Sequence, residues 1–168
     1  MRSLIAALMI VCFAAPAYAA TTPSTSSARV TITGWRLECD PGKAALACRV
    51  LDSIVSASNG ALVISLNFSA AADGKTVLTM NVPLGAAVRT PVGVSVNGGP
   101  SQNFPFLTCS PQGCYATGTV SADLLAAMRA GKGDLRVTYG MLDANLAEHG
   151  ITATLSLTGF SQVDDRLK

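Results

Sequence analysis

A chain of 168 residues with a formal charge of +2 and 13% charged side chains is long enough for one domain with its own core. It has no field of one sign, which argues against nucleic acid or an acidic membrane surface as a partner. Soluble proteins usually carry about 25% charged residues, so this surface must rest on Ser, Thr, Asn and Gly, as suits an extracytoplasmic β-protein.

Residues 1–20 read as a cleaved signal peptide. Arg2 supplies the positive start, residues 4–15 are apolar and uncharged, and Ala17-Tyr18-Ala19 follows Pro16 as a cleavage site. The apolar run is shorter than the roughly 20 residues a membrane span needs. Cys12 lies in mid-run after Val11, which does not fit a lipoprotein anchor. Loss of the leader leaves about 148 residues and lowers the balance from +2 to +1. No later stretch is long and apolar enough to span a bilayer, so the mature chain is expected in the periplasm or on the outer envelope.

Residues 21–28 are Thr, Ser and Pro without apolar period and are expected to be a disordered tether. From Arg29 the pattern alternates, with Val30 and Ile32 against Thr31, Thr33 and Trp35. Further strands are expected at residues 45–51, 61–68, 75–82, 92–96, 115–120, 135–142 and 151–157. Asn59-Gly60, Asp73-Gly74 and Asn97-Gly98 mark turns between them. Asp73-Gly74 predicts a hairpin. One helix breaks the series: Ser121 can cap it, Asp123 suits its first turn, Leu124, Leu125 and Met128 form its stripe, and Gly131 can stop it. A second short helix is expected at residues 161–167. The fold class is therefore all-β: a single-domain antiparallel β-sandwich over residues 29–168, with one or two short helices.

Four cysteines outside the leader allow three pairings. Proximity favours Cys39–Cys48 and Cys109–Cys114, and export favours their oxidation. A thiol oxidoreductase would prefer C-x-x-C at a helix start, and a zinc site would want two tight clusters or added His. The spacings here give neither, so no metal or cofactor is expected. His149, the single histidine, lies in Glu148-His149-Gly150, a turn before a strand. There is no G-x-S-x-G elbow to supply it with a nucleophile. Asp164-Asp165 is expected to be a solvated acidic pair. No catalytic residue is assigned. Trp35, Tyr115 and Tyr139 are the candidates for ligand or partner contact, with burial beside a disulfide as the plainer role for Trp35.

Taken in order, Trp35, Cys39, Cys48-Arg49-Val50, Pro83-Leu84-Gly85, Gly93-Val94, Phe106, Cys109, Gly113-Cys114, Ala116, Leu124-Leu125 and Ser156-Leu157-Thr158-Gly159-Phe160 resemble the invasion-associated locus B family of Gram-negative envelope proteins. The resemblance spans nearly the whole mature chain. It implies an exported, periplasmic or outer-envelope, β-rich protein without catalytic residues, with relatives in pathogens associated with host invasion. Export, paired cysteines and strand patterning without a catalytic set lead to a non-enzymatic protein that binds another protein or surface component, the expected partner being an envelope or host protein. The alternative function is a small-ligand or glycan-binding periplasmic module. Where members often carry Asp-Gly after the Gly-Val strand, this chain has Asn97-Gly98, so no role for that carboxylate carries over.

Overall fold

The computed structural model describes residues 29–32, 34–40 and 47–167. The expected leader and tether lie outside the described residues, as do positions 41–46.

Eleven strands and two short helices are described: β1 (Arg29–Ile32), β2 (Trp35–Asp40), β3 (Ala47–Val55), β4 (Leu62–Ala70), β5 (Thr76–Val82), β6 (Val92–Val96), β7 (Gln102–Phe104), β8 (Phe106–Ser110), β9 (Gly113–Thr119), α1 (Ala122–Arg129), β10 (Asp134–Leu142), β11 (Glu148–Ser156) and α2 (Phe160–Asp164). A single 3-10 turn, Asp165–Leu167, follows. The larger sheet has the order β1-β2-β3-β4-β5-β9-β8 and the smaller one β11-β10-β6-β7. All pairings are antiparallel.

Period-two patterning sets which faces meet. Ile64, Leu66 and Phe68 of β4, and Leu78, Met80 and Val82 of β5, are buried. Val92 and Val94 of β6, and Leu135, Val137 and Tyr139 of β10, are buried from the other sheet. Together they make one core, which Leu124 and Met128 of α1 and Phe160 and Val163 of α2 close at one end.

The alternation from Arg29 to Trp35 is a hairpin rather than one strand. Gly34 has φ +93°, a left-handed conformation that glycine adopts at little cost, and the chain reverses there to pair Ile32 with Trp35. The strand expected at residues 45–51 runs on to Val55, because β4 pairs along its length up to an irregularity at Ile54/Val55. Two strands had no sequence signature. β7 is only Gln-Asn-Phe, and Pro105 separates it from β8. β7 pairs with β6 and β8 with β9, so the chain crosses between sheets at Pro105, which has no N–H to give to a ladder.

The helix signals hold. Ser121 accepts the Leu124 N–H at 3.3 Å, and Gly131 ends α1 with φ +65°. Asn97 (φ +52°) is a clamp as well as a turn. Its Nδ2 donates to the Lys132 carbonyl at 3.0 Å, and its Oδ1 accepts the Asp134 N–H at 2.9 Å. A carboxylate has no donor for the first of these bonds. A Cβ at Gly133 would fall 1.8 Å from Asn97 Oδ1, so the clamp requires glycine there.

Both disulfides form as expected, Cys39–Cys48 and Cys109–Cys114. Each joins residues directly opposite on neighbouring strands, β2 with β3 and β8 with β9. Loop-entropy arithmetic for separations of 9 and 5 residues gives about 2–3 kcal/mol each. The double substitution Cys39→Ser/Cys48→Ser is expected to lower the urea-unfolding free energy by about that amount, with the m-value little changed. A loss below about 0.5 kcal/mol would show that β2 and β3 hold their register without the bridge.

Candidate functional site

The structure does not bring the three candidate aromatic residues together. Trp35 is fully buried. Its ring meets Phe160 edge-on at 5.0 Å and Phe68 at 5.9 Å, and its Nε1 donates to the Ser156 carbonyl at 2.7 Å. Tyr139 is also in the core, where its hydroxyl donates to the Val63 carbonyl at 2.7 Å and so ties the small sheet to β4. Burial pushes the Tyr139 phenol above its ordinary value. With ring faces and polar tips both engaged inside the protein, Trp35 and Tyr139 offer no surface to a ligand. Tyr115 is half-buried on β9, opposite Asn81. Beside it the Thr79 and Thr117 hydroxyls lie 3.0 Å apart. The aromatic groove that a ligand-binding module would need is therefore not formed by these rings.

His149 lies within β11 rather than in a turn, opposite Met141. Its Nε2 is 3.0 Å from Asp143 Oδ2, and no described serine bonds the ring. Asp143 organises the β10–β11 loop. Its Oδ1 accepts the N–H groups of Asn145 and Ala147, at 2.8 Å and 2.9 Å. The His149 bond, followed by those two amides, holds the Asp143 carboxyl below its ordinary range. The loop presents Leu146 at φ +62° and 76% exposed. A left-handed conformation is unfavourable for a residue with a Cβ, and here a web of bonds to Asp143 sustains it.

Leu146 has apolar company. The Leu142 N–H donates to the Gly85 carbonyl at 2.8 Å, and that of Ala87 to the Gly140 carbonyl at 2.9 Å. These bonds lay the 83–90 loop along the end of β10. Leu84, Val88 and Leu142 are exposed at this end of the sandwich, and the Leu146 loop follows directly on Leu142. Sequence periodicity could not reveal this cluster, since its members come from two loops and a strand end. The Asp-x-Asn start of the loop, which favours side-chain-to-backbone turns, was the one legible sign.

The expected solvated acidic pair is corrected at Asp164. That residue is completely buried, and its Oδ2 takes the Nε of Arg129 at 2.5 Å. The C-terminal turn packs against α1, which brings a partner to a residue that local sequence marks as surface. Asp52 is half-buried on β3, and burial raises its carboxyl above the ordinary range against the lowering effects of the Ser53 N–H and Arg36. A carboxylate with a raised folded-state value destabilises the fold above that value, and the penalty disappears as pH falls below the unfolded value near 3.8. Asp52→Asn, which keeps the Oδ1 acceptor, is expected to unfold at higher urea than the parent at pH 7, with the gap closing by pH 3. A gap that widened toward acid would contradict this assignment.

Among the described residues no group of three or more His, Cys, Asp or Glu is placed to hold a metal ion, and no helix is long and apolar enough to cross a membrane.

The family model described as Invasion associated locus B (IalB) protein matches residues 35–168. Two invasion protein B homologs of Brucella abortus, from strains 2308 and 9-941, are each 28% identical over 153 residues, covering 90% of this chain and 86% of the relative. The crystal structure of invasion associated protein B from Bartonella henselae superposes with a TM-score of 0.72 at 26% identity, covering 84% of this chain and 96% of that one. The fold is thus shared with a solved relative, and the match over residues 35–168 makes the chain a member of the invasion associated locus B family.

Proposed function

We propose that this protein is an exported cell-envelope component that acts by binding another protein or surface component, and that it does so through the end of the sandwich bearing Leu84, Val88, Leu142 and Leu146. The observation that carries this is Leu146, three-quarters exposed on a turn whose unfavourable backbone conformation is held by Asp143. Single exposed leucines are ordinary; several on adjoining backbone, one of them on a strained and braced turn, mark an interaction surface. The leader supports export, and the names of the Brucella and Bartonella relatives suggest contact with a host cell as one setting. No described His, Ser or carboxylate set supports catalysis.

A photo-crosslinking residue at position 146 in intact cells is expected to capture a discrete partner, while one at Thr152, on the outer face of β11, is not. Leu142→Asp should abolish the product while a cooperative urea transition shows that the fold is kept. Equal capture at both positions, or capture unaffected by Leu142→Asp, would remove this surface from the reading.

A further inference from the structure

At the opposite end of β4 and β5, the β4–β5 hairpin, the β9–α1 junction and the C-terminal turn line an open-sided cavity of about 810 Å³. That is within the range of small-molecule sites. Val120, Leu125 and Leu167 supply its apolar wall, Lys75, Thr76, Thr119 and Arg129 its polar groups, and the Asp164 carboxylate lines it beside Arg129.

The chemistry of the site turns on how Arg129 is held. Its Nε is fixed to Asp164 Oδ2. Asp164 is fully buried, and its Oδ1 has no hydrogen-bond partner among the described residues. Among the described residues Arg129 is the cation paired with this buried carboxylate, and swinging the guanidinium away would break that pair. The Arg129 side chain is still 36% exposed, and its hydrogen bond to Asp164 leaves from Nε rather than from the terminal nitrogens. Anchoring a planar guanidinium by Nε leaves its Nη edge as a two-donor fork of fixed direction, the geometry that pairs with a carboxylate. Lys75 adds an ammonium at the same cavity. Its contact with Asp73, at 2.9 Å, joins two well-exposed groups and is weak enough to yield to a ligand.

We propose that this cavity binds a molecule with an apolar chain ending in a carboxylate, the carboxylate on the Nη edge of Arg129 beside Lys75 and the chain along Val120, Leu125 and Leu167. Asp164, in the pocket wall but with its side chain only 1% exposed, is a positioning residue that aims the fork. This chemistry has two sources, a free acyl acid and the C-terminus of a peptide ending in an apolar residue. The site stands apart from the leucine-bearing end and does not rest on the function proposed for it.

The test is a two-dimensional amide NMR titration of the purified, disulfide-bonded protein with decanoate, decan-1-ol, and a leucine-terminated peptide as free acid and as amide. Saturable shifts are expected at Thr76, Val120, Leu125, Arg129 and Leu167 with decanoate or the peptide acid, whichever binds more tightly naming the source. The alcohol and the peptide amide should bind at least tenfold more weakly. Arg129→Lys retains a cation for Asp164 but loses the fork, and should weaken the better acid at least tenfold. Leu125→Glu, on a half-buried wall position, should abolish binding while a still cooperative thermal melt shows that the fold is kept. The proposal is overturned if neither acid binds at millimolar concentration, if the alcohol or amide matches its acid, if shifts centre elsewhere, or if Leu125→Glu binds as the parent does.

Discussion

Trp35→Ala is expected to cost the fold about 3–5 kcal/mol, the range for truncating a large buried aromatic residue. The site is poorly able to collapse around the loss. Its walls are Phe68 on β4 and Phe160 on α2, and those two rings also meet edge-on at 5.3 Å. The vacated space would therefore be bounded by a central strand and a helix, each held by other contacts. The Ser156 carbonyl would also lose the indole N–H. Domains of this size are stable by about 5–15 kcal/mol in total, so the variant should unfold at markedly lower urea and lose near-UV circular dichroism early in a thermal ramp. Trp35→Phe separates the terms. It keeps an aromatic ring and gives up the hydrogen bond, a difference of about 1 kcal/mol plus a smaller packing loss. Were Trp35 a platform for a ligand on an open surface, Trp35→Ala would leave the midpoint almost unmoved, so the same measurement decides between scaffold and site.

The residues that made the fold legible share a property: their signal is local. Alternation in β4 and β5, the Asp73-Gly74 turn, the Ser121 cap and the two close cysteine pairs can each be read within about ten positions. What was not legible depends on distant chain. β7 and β8 exist because Pro105 sits where the chain passes from one sheet to the other, and neither strand has an apolar rhythm of its own. Alternation through Gly34 looked continuous because a glycine inside a strand and a glycine at a reversal read alike until the pairing of Ile32 with Trp35 is known. The candidate site was harder still. Trp35 and Tyr139 have the composition of binding residues, and only the partner carbonyls of Ser156 and Val63, 121 and 76 positions away, show them to be structural. Leu146 looks like one loop leucine until the bonds of Asp143 and of the 83–90 loop show that it shares one end of the sandwich with Leu84, Val88 and Leu142.

Removing the cation from the buried pair is the second change with a large effect. Arg129→Met is expected to destabilise by about 3–5 kcal/mol, because it leaves the fully buried Asp164 charge without compensation. Asp164→Leu should cost less, since Arg129 is 36% exposed and can turn to water. The double variant Arg129→Met/Asp164→Leu should recover most of the loss, as replacing both partners by apolar groups removes the desolvation penalty with the attraction. A double-mutant cycle by urea unfolding measures the coupling directly. A coupling under about 0.5 kcal/mol would class the contact with exposed ion pairs and contradict the burial of Asp164. A large coupling has a structural consequence. The two residues lie 35 positions apart, one ending α1 and the other ending α2, so the pair fastens the C-terminal segment to the helix beside it. Phe160 reaches Trp35 from that same segment. Loss of Arg129 should therefore loosen the aromatic core as well, and Trp35 fluorescence should shift to the red in Arg129→Met before global unfolding, while in the double variant it should not.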